Sequence, residues 1–195
     1  MRRLEWAFAG TSHITIPPPT DTNDHLVPHC TWTHWIDSHH NGPVTDEGDI
    51  YPQADDIHTL ELGQMVNPAT GVMTRYEENW LDLDVATTGE ACMRCCIVLM
   101  IDDVEHGVTG MVARVGQFCQ GIIKVRVGGG EGEVAVERWM CEEDVEVGKG
   151  IWKRVARLGR LFLPCALTFE PGRIEEGSLV QYGDFRWEVR ELYEW

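Results

Sequence analysis

Eleven short runs of this chain carry strand composition, and no stretch sustains a helical period. The runs are Leu4–Ala9, Thr31–Asp37, His58–Val66, Val72–Leu83, Cys92–Ile101, Val108–Phe118, Ile122–Val127, Glu133–Cys141, Gly150–Val155, Ser178–Gln181 and Phe185–Tyr193. Turn residues punctuate them: Asn41-Gly42, Asn67-Pro68, Thr70-Gly71 and Pro171-Gly172. Asn67–Gly71 has the length of a five-residue hairpin loop between two strands. Only Lys149–Leu161 spaces its apolar residues as a helix could, and Gly150 and Gly159 weigh against one. Many short strands at such spacing imply an all-β barrel or sandwich. No solenoid repeat is present, and Gly128–Gly132 reads as a hairpin tip or linker.

Strand alternation then sorts the side chains by face. Trp32, His34 and Ile36 share one face of their strand, and Trp35 and Asp37 share the other. Tyr76, Glu78 and Trp80 share a face of theirs. Neither strand has a purely apolar side. Aromatic and ionisable groups mixed on one face suit the wall of a ligand-binding barrel. A solvated exterior with scattered aromatics would show the same pattern, so the two readings weigh equally.

Charge narrows the partners. Sixteen Lys and Arg stand against 32 Asp and Glu, a formal charge of -16. Such a chain repels phosphate backbones and anionic lipid surfaces, which argues against nucleic acid and membrane. No apolar run approaches the roughly 18 residues that span a bilayer. Met1–Trp6 has two arginines but no long apolar stretch follows, so a cytoplasmic protein is expected. The seven cysteines are then expected to be reduced thiols. At about 150 residues per domain, 195 residues make one domain or two small ones.

Several uncommon words stand in one order: Trp6-Ala7-Phe8-Ala9-Gly10-Thr11-Ser12, Trp32-Thr33-His34-Trp35-Ile36-Asp37-Ser38, Asp46–Pro52, Leu60–Gly71 and Tyr76-Glu77-Glu78-Asn79-Trp80. This series resembles the fungal HRI family, small proteins named for a yeast partner of a casein-kinase-I-type kinase. The likeness is densest over residues 6–82. It thins later, to Glu137-Arg138-Trp139 and Phe185–Glu191. The resemblance implies a lipocalin-like fold with two antiparallel β-barrels in tandem, in an intracellular fungal protein. It implies no catalytic residue set. Family members run some tens of residues longer before the Trp6 segment, so the first barrel is expected to lack its opening strands. An open barrel leaves an unpaired edge that invites a second copy, so a homodimer is one expectation. The expected domains are 1–86 and 87–195, with the break near Val85–Glu90.

Residues of this chain are of types that serve five chemistries. His25, His29, Cys30, His34, His39 and His40 are zinc-ligating types, but their spacing fits no known site pattern and Pro28 breaks a helix that would pair His25 with His29. Cys92-Met93-Arg94-Cys95-Cys96 runs straight into a buried strand, so its cysteines read as small core hydrophobes rather than a redox pair. No nucleophile elbow is present. Gly128–Gly132 lacks the Lys and Ser/Thr of a phosphate loop, and Glu131 would repel phosphate. Acid–base work in the first barrel remains. Its candidates are Glu61, His34, Tyr76 and Glu78, with Trp32, Trp35, Asp37, Met65 and Trp80 as ligand walls. Glu61 lies between Leu60 and Leu62, where burial would raise its pKa. The structural alternative pairs Glu61 with Arg75 or with strand backbone.

The leading expectation is a barrel that binds a small hydrophobic molecule, as a cofactor-independent isomerase or cyclase of fungal secondary metabolism, with no metal. The rival is a non-catalytic adaptor that docks a kinase or other basic partner on an acidic surface.

Overall fold

A computed structural model describes residues 4, 6–16, 27–67, 70–88, 93–126, 132–144 and 149–195. His25, Pro68-Ala69, Cys92 and Gly128–Glu131, which figured in the sequence reading, lie outside the described residues. The chain divides into two compact units. One is Gly10–Asp84; the other joins Met1–Ala9 to Val85–Trp195.

The fold is all-β and antiparallel throughout its described ladders. The first sheet has five strands in chain order: β1 (Phe8–Thr15), β2 (His29–Asp37), β3 (Val44–Pro52), β4 (His58–Val66) and β5 (Met73–Leu81). The second has seven: β6 (Cys95–Asp103), β7 (Val108–Val115), β8 (Phe118–Val125), β9 (Glu133–Asp144), β10 (Lys149–Leu158), β11 (Leu179–Tyr182) and β12 (Phe185–Glu194). Their order is β10-β9-β8-β7-β6-β12-β11. Among the described residues neither ladder returns to its first strand, so neither sheet is a closed barrel. Five strands fall short of the about eight that close around a filled interior. In the second sheet the edge strand β11 has only four residues to offer a partner.

Three elements differ from the sequence reading. Val44–Pro52 is a strand paired on both sides, although its three acids, Gly48 and Pro52 lower its strand propensity. The first strand lies at Phe8–Thr15 rather than Leu4–Ala9, while Gly150–Val155 is a strand as its composition implies, extended by its ladder with β9 to Lys149–Leu158. The long run Val108–Phe118 is cut at Gly116, whose positive φ of 52° turns β7 into β8.

Alternation builds the second core. Cys95, Ile97, Leu99 and Ile101 project from β6 to one face, each at most 7% exposed. They meet Val112, Ile123, Ala135, Trp187 and Val189. Each aliphatic side chain so buried contributes about 1.5–3 kcal/mol. A Cβ at Gly110 would stand 2.5 Å from the Trp187 ring, so the glycine seats the indole. The 3-10 turn Pro164–Phe169 caps this face with Leu163 and Cys165. Buried Arg114 ties the turn down: it donates to the Thr168 carbonyl, to Gly116 O at 3.0 Å and to Thr88 Oγ1.

Candidate functional site

The register of β2 to β5 decides which side chains can meet. Trp32 pairs with Asp46 and His34 with Val44. Ile50 pairs with Glu61, and Gly48 with Gly63. Glu61 pairs with Glu78, Gly63 with Tyr76, Met65 with Thr74 and Thr59 with Trp80. Directly paired residues share a face, and the face recurs every second residue. Trp32, His34, Asp46, Glu61, Met65, Tyr76, Glu78 and Trp80 therefore line one side of the first sheet. Trp35 and Arg75 fall on the other side.

Two glycines open the middle of that face. A Cβ at Gly63 would overlap the Tyr76 ring and hydroxyl. At Gly48 it would stand 3.1 Å from Glu61 Cγ. With both positions bare, Tyr76 lies across β4 and its hydroxyl donates to Glu61 Oε1 at 2.6 Å. Trp80 Nε1 donates to Glu61 Oε2 at 2.8 Å. Glu61 is 3% exposed, so this carboxylate is held in the sheet by neutral donors and not by Arg75. Trp80 itself is 51% exposed and forms the open margin of the cluster.

Electrostatics fit the same placement. Burial pushes the Tyr76 hydroxyl far above its ordinary pKa, aided by its bond to Glu61 and by the charges of Asp46 and Glu78. The hydroxyl therefore stays protonated and acts as a donor. Burial raises Glu78, and repulsion from Glu61 and Asp46 raises it further. Burial likewise raises Asp46, against a lowering effect of His34. Burial and the Glu61 charge push the Cys30 thiol up. Three carboxylates thus crowd one face. The unit Gly10–Asp84 contains no lysine, one arginine (Arg75, on the other side) and 13 Asp and Glu.

His34 and Asp37 form a second knot at the end of β2. His34 Nδ1 lies 2.8 Å from Asp37 Oδ2, and both side chains are buried. Asp37 Oδ1 accepts from the backbone N–H of His39 at 2.7 Å and of His40 at 3.0 Å. Alternation puts Asp37 on the Trp35 side, but the carboxylate turns back at the strand end and joins the bend that follows. The knot closes a turn and orients the imidazole.

Of the nine sequence-predicted site residues, the register brings seven to one face: Glu61, His34, Tyr76, Glu78, Trp32, Met65 and Trp80. Asp37 reaches that set only through His34, and Trp35 does not reach it. Asp46 was missed because its strand was missed; the alternation of Asp46, Gly48 and Ile50 was the available signal. Gly48 and Gly63 were missed as well, and only the ring packed over Gly63 reveals why glycine stands there.

A cavity of about 540 Å³ lies elsewhere, in the second unit. Asp102, Asp103, Glu105, Asp184, Arg186 and Glu188 line it, with apolar residues of β6 and β12 between them. Among the described residues no three His, Cys, Asp or Glu side chains gather as a metal ion would require. No described helix is long and apolar enough to cross a membrane.

Comparison with known proteins adds a lineage. A crystal structure of an uncharacterized protein from Saccharomyces cerevisiae aligns with 97% of this chain and 79% of that one, at a TM-score of 0.63 and 19% identity. At that identity the likeness speaks for the fold alone. No curated protein matches. The sequence profile described as Protein HRI1 matches residues 1–191, nearly the whole chain. The chain belongs to the HRI1 protein family.

Proposed function

We propose that this protein is a non-catalytic interaction module whose first unit takes a basic partner on its face of carboxylates and aromatics. One observation carries the reading: Asp46, Glu61 and Glu78 share a face with Tyr76, Trp32 and Trp80, and among the described residues of the unit no lysine or arginine stands on it. A Lys or Arg side chain arriving there relieves the repulsion from Glu61 and Asp46 that adds to burial in raising Glu78. It also gains the ring faces of the tryptophans. The surplus of acid across the unit steers such a partner from a distance.

The competing reading is a small hydrophobic ligand turned over by a cofactor-independent isomerase or cyclase. It draws on buried Glu61 beside the Tyr76 hydroxyl. Both Glu61 oxygens are already bound to donors, however, and Tyr76 holds its proton tightly. A general base needs a free oxygen within reach of its substrate. The network suits a fixed scaffold better than proton transfer.

The test is titration of a Lys/Arg-rich peptide into the full chain, followed by tryptophan fluorescence at two ionic strengths. Binding is expected to weaken steeply with salt, and Glu78→Gln with Asp46→Asn to weaken it severalfold more. Binding that ignores both salt and these substitutions would overturn the proposal.

A further inference from the structure

The second sheet holds a cluster of opposite sign. Strand β10 pairs with β9 in steady register until Val155, where one residue is left unpaired. Arg154 stands opposite Trp139, and Arg157, three residues later, stands opposite Glu137. Without the bulge, residues three apart would point to opposite faces. With it, both guanidinium groups come to the face that carries Glu137 and Trp139. Bulges that re-aim a side chain in this way concentrate beside functional sites.

Both arginines converge on one carboxylate. Arg157 Nε lies 3.5 Å from Glu137 Oε1, and Arg154 Nη1 lies 4.0 Å from Oε2. Glu137 is buried and takes its close hydrogen bond from Trp139 Nε1 at 2.8 Å. One cation would balance it, so the trio carries a surplus positive charge in a chain of net charge -16. Arg154 makes no hydrogen bond among the described residues. Its guanidinium lies over the Trp139 ring, 5.2 Å from the centroid, with 40% of the side chain exposed. Arg157 lies 3.8 Å over the Phe162 ring.

We infer that Arg154 and Arg157 bind the carboxylate of a small organic anion, with Trp139 and Phe162 offering flat apolar walls for its body. A planar guanidinium with spare donors pairs bidentately with a carboxylate. Stacking on Trp139 and Phe162 holds the two forks in place at low entropic cost. The Glu137 charge sets the upper limit on affinity, since it competes for the same donors.

The probe is 2-naphthoate, titrated into the full chain and followed by tryptophan fluorescence and calorimetry. Saturable one-to-one binding is expected, with neutral 2-naphthamide at least about tenfold weaker. Arg154→Gln and Arg157→Gln are each expected to weaken naphthoate by about tenfold to a hundredfold. Arg154→Lys, which keeps the charge and loses the fork, falls between. Arg160→Gln, whose partner is Glu133, leaves affinity unchanged. Thermal melting of Arg154→Gln shows that the fold is retained. Naphthamide binding as tightly as naphthoate, unaltered affinity in Arg154→Gln, or no saturable naphthoate binding would each overturn the inference.

Discussion

Glu61 concentrates the physics of the first unit in one side chain. A carboxylate 3% exposed, without an arginine or lysine, is stable only because the Tyr76 hydroxyl and the Trp80 indole both donate to it. Tyr76→Phe removes one donor and is expected to cost about 1–2 kcal/mol. Glu61→Gln turns one acceptor into a donor facing a donor, and is expected to cost about 1–3 kcal/mol. Urea unfolding of the full chain measures both, and a loss below about 0.5 kcal/mol in each would show the network to be dispensable. Much of this was legible from alternation alone: Tyr76, Glu78 and Trp80 had to share a face, and Glu61 had to be buried between two leucines. The partner of Glu61 was not legible. Arg75 is adjacent in sequence to the bonded tyrosine, yet a period of two sends it to the opposite side.

Strands make those residue contacts possible, and β3 and β4 do so through what they lack. Gly48 and Gly63 sit opposite one another where a longer side chain would keep Tyr76 from Glu61. Gly63→Ala is expected to displace the Tyr76 ring and cost about 1–3 kcal/mol by overpacking. A melting temperature and tyrosine environment unchanged from wild type would contradict that. The same strands show where composition misleads. β3 carries Asp46, Glu47, Asp49, Gly48 and Pro52, a set that argues for a loop, and pairing on both flanks overrides it. β10 shows agreement instead: Gly150 and Gly159 weigh against a helix there, and its ladder with β9 makes it a strand. Propensity is a local quantity, while both outcomes depend on a neighbour far away in sequence. The edge strand β5 leaves Met73, Trp80 and Leu81 in solvent, and alternates them with Arg75, Glu77 and Glu78, charges that discourage further strand addition.

At the scale of the whole molecule, the charge of -16 and the crowded carboxylates work against compactness. Glu78 and Asp46 have folded-state pKa values raised above their ordinary 4.5 and 3.8, so the folded protein takes up protons before the unfolded chain does. Stability therefore rises as pH falls toward those values. His29, raised above 6.5 by Asp49 and Glu47, acts in the same direction: its contribution is full below 6.5 and is lost as pH climbs through the folded value. Asp55 and Asp103 act oppositely. Hydrogen bonds from His58 and His106 hold them below 3.8, and their contribution disappears only at stronger acid. The stability maximum is thus expected on the acid side of neutrality, and Glu78→Gln is expected to flatten the slope leading to it. Unfolding free energy measured against pH checks this; a maximum above pH 7 would refute it.

The order of the strands also sets an order of events in synthesis. Every partner in the first sheet is the next strand along the chain, so each can be made as its residues leave the ribosome. In the second sheet the last strand, β12, lies between β6 and β11 and supplies Trp187 and Val189 to the core. During translation β6 waits for a neighbour that emerges about ninety residues later, with Ile97 and Leu99 unburied meanwhile. The acidic unit can thus be finished while its companion is still an unsealed sheet, and strand β12 carries the step that covers the second core.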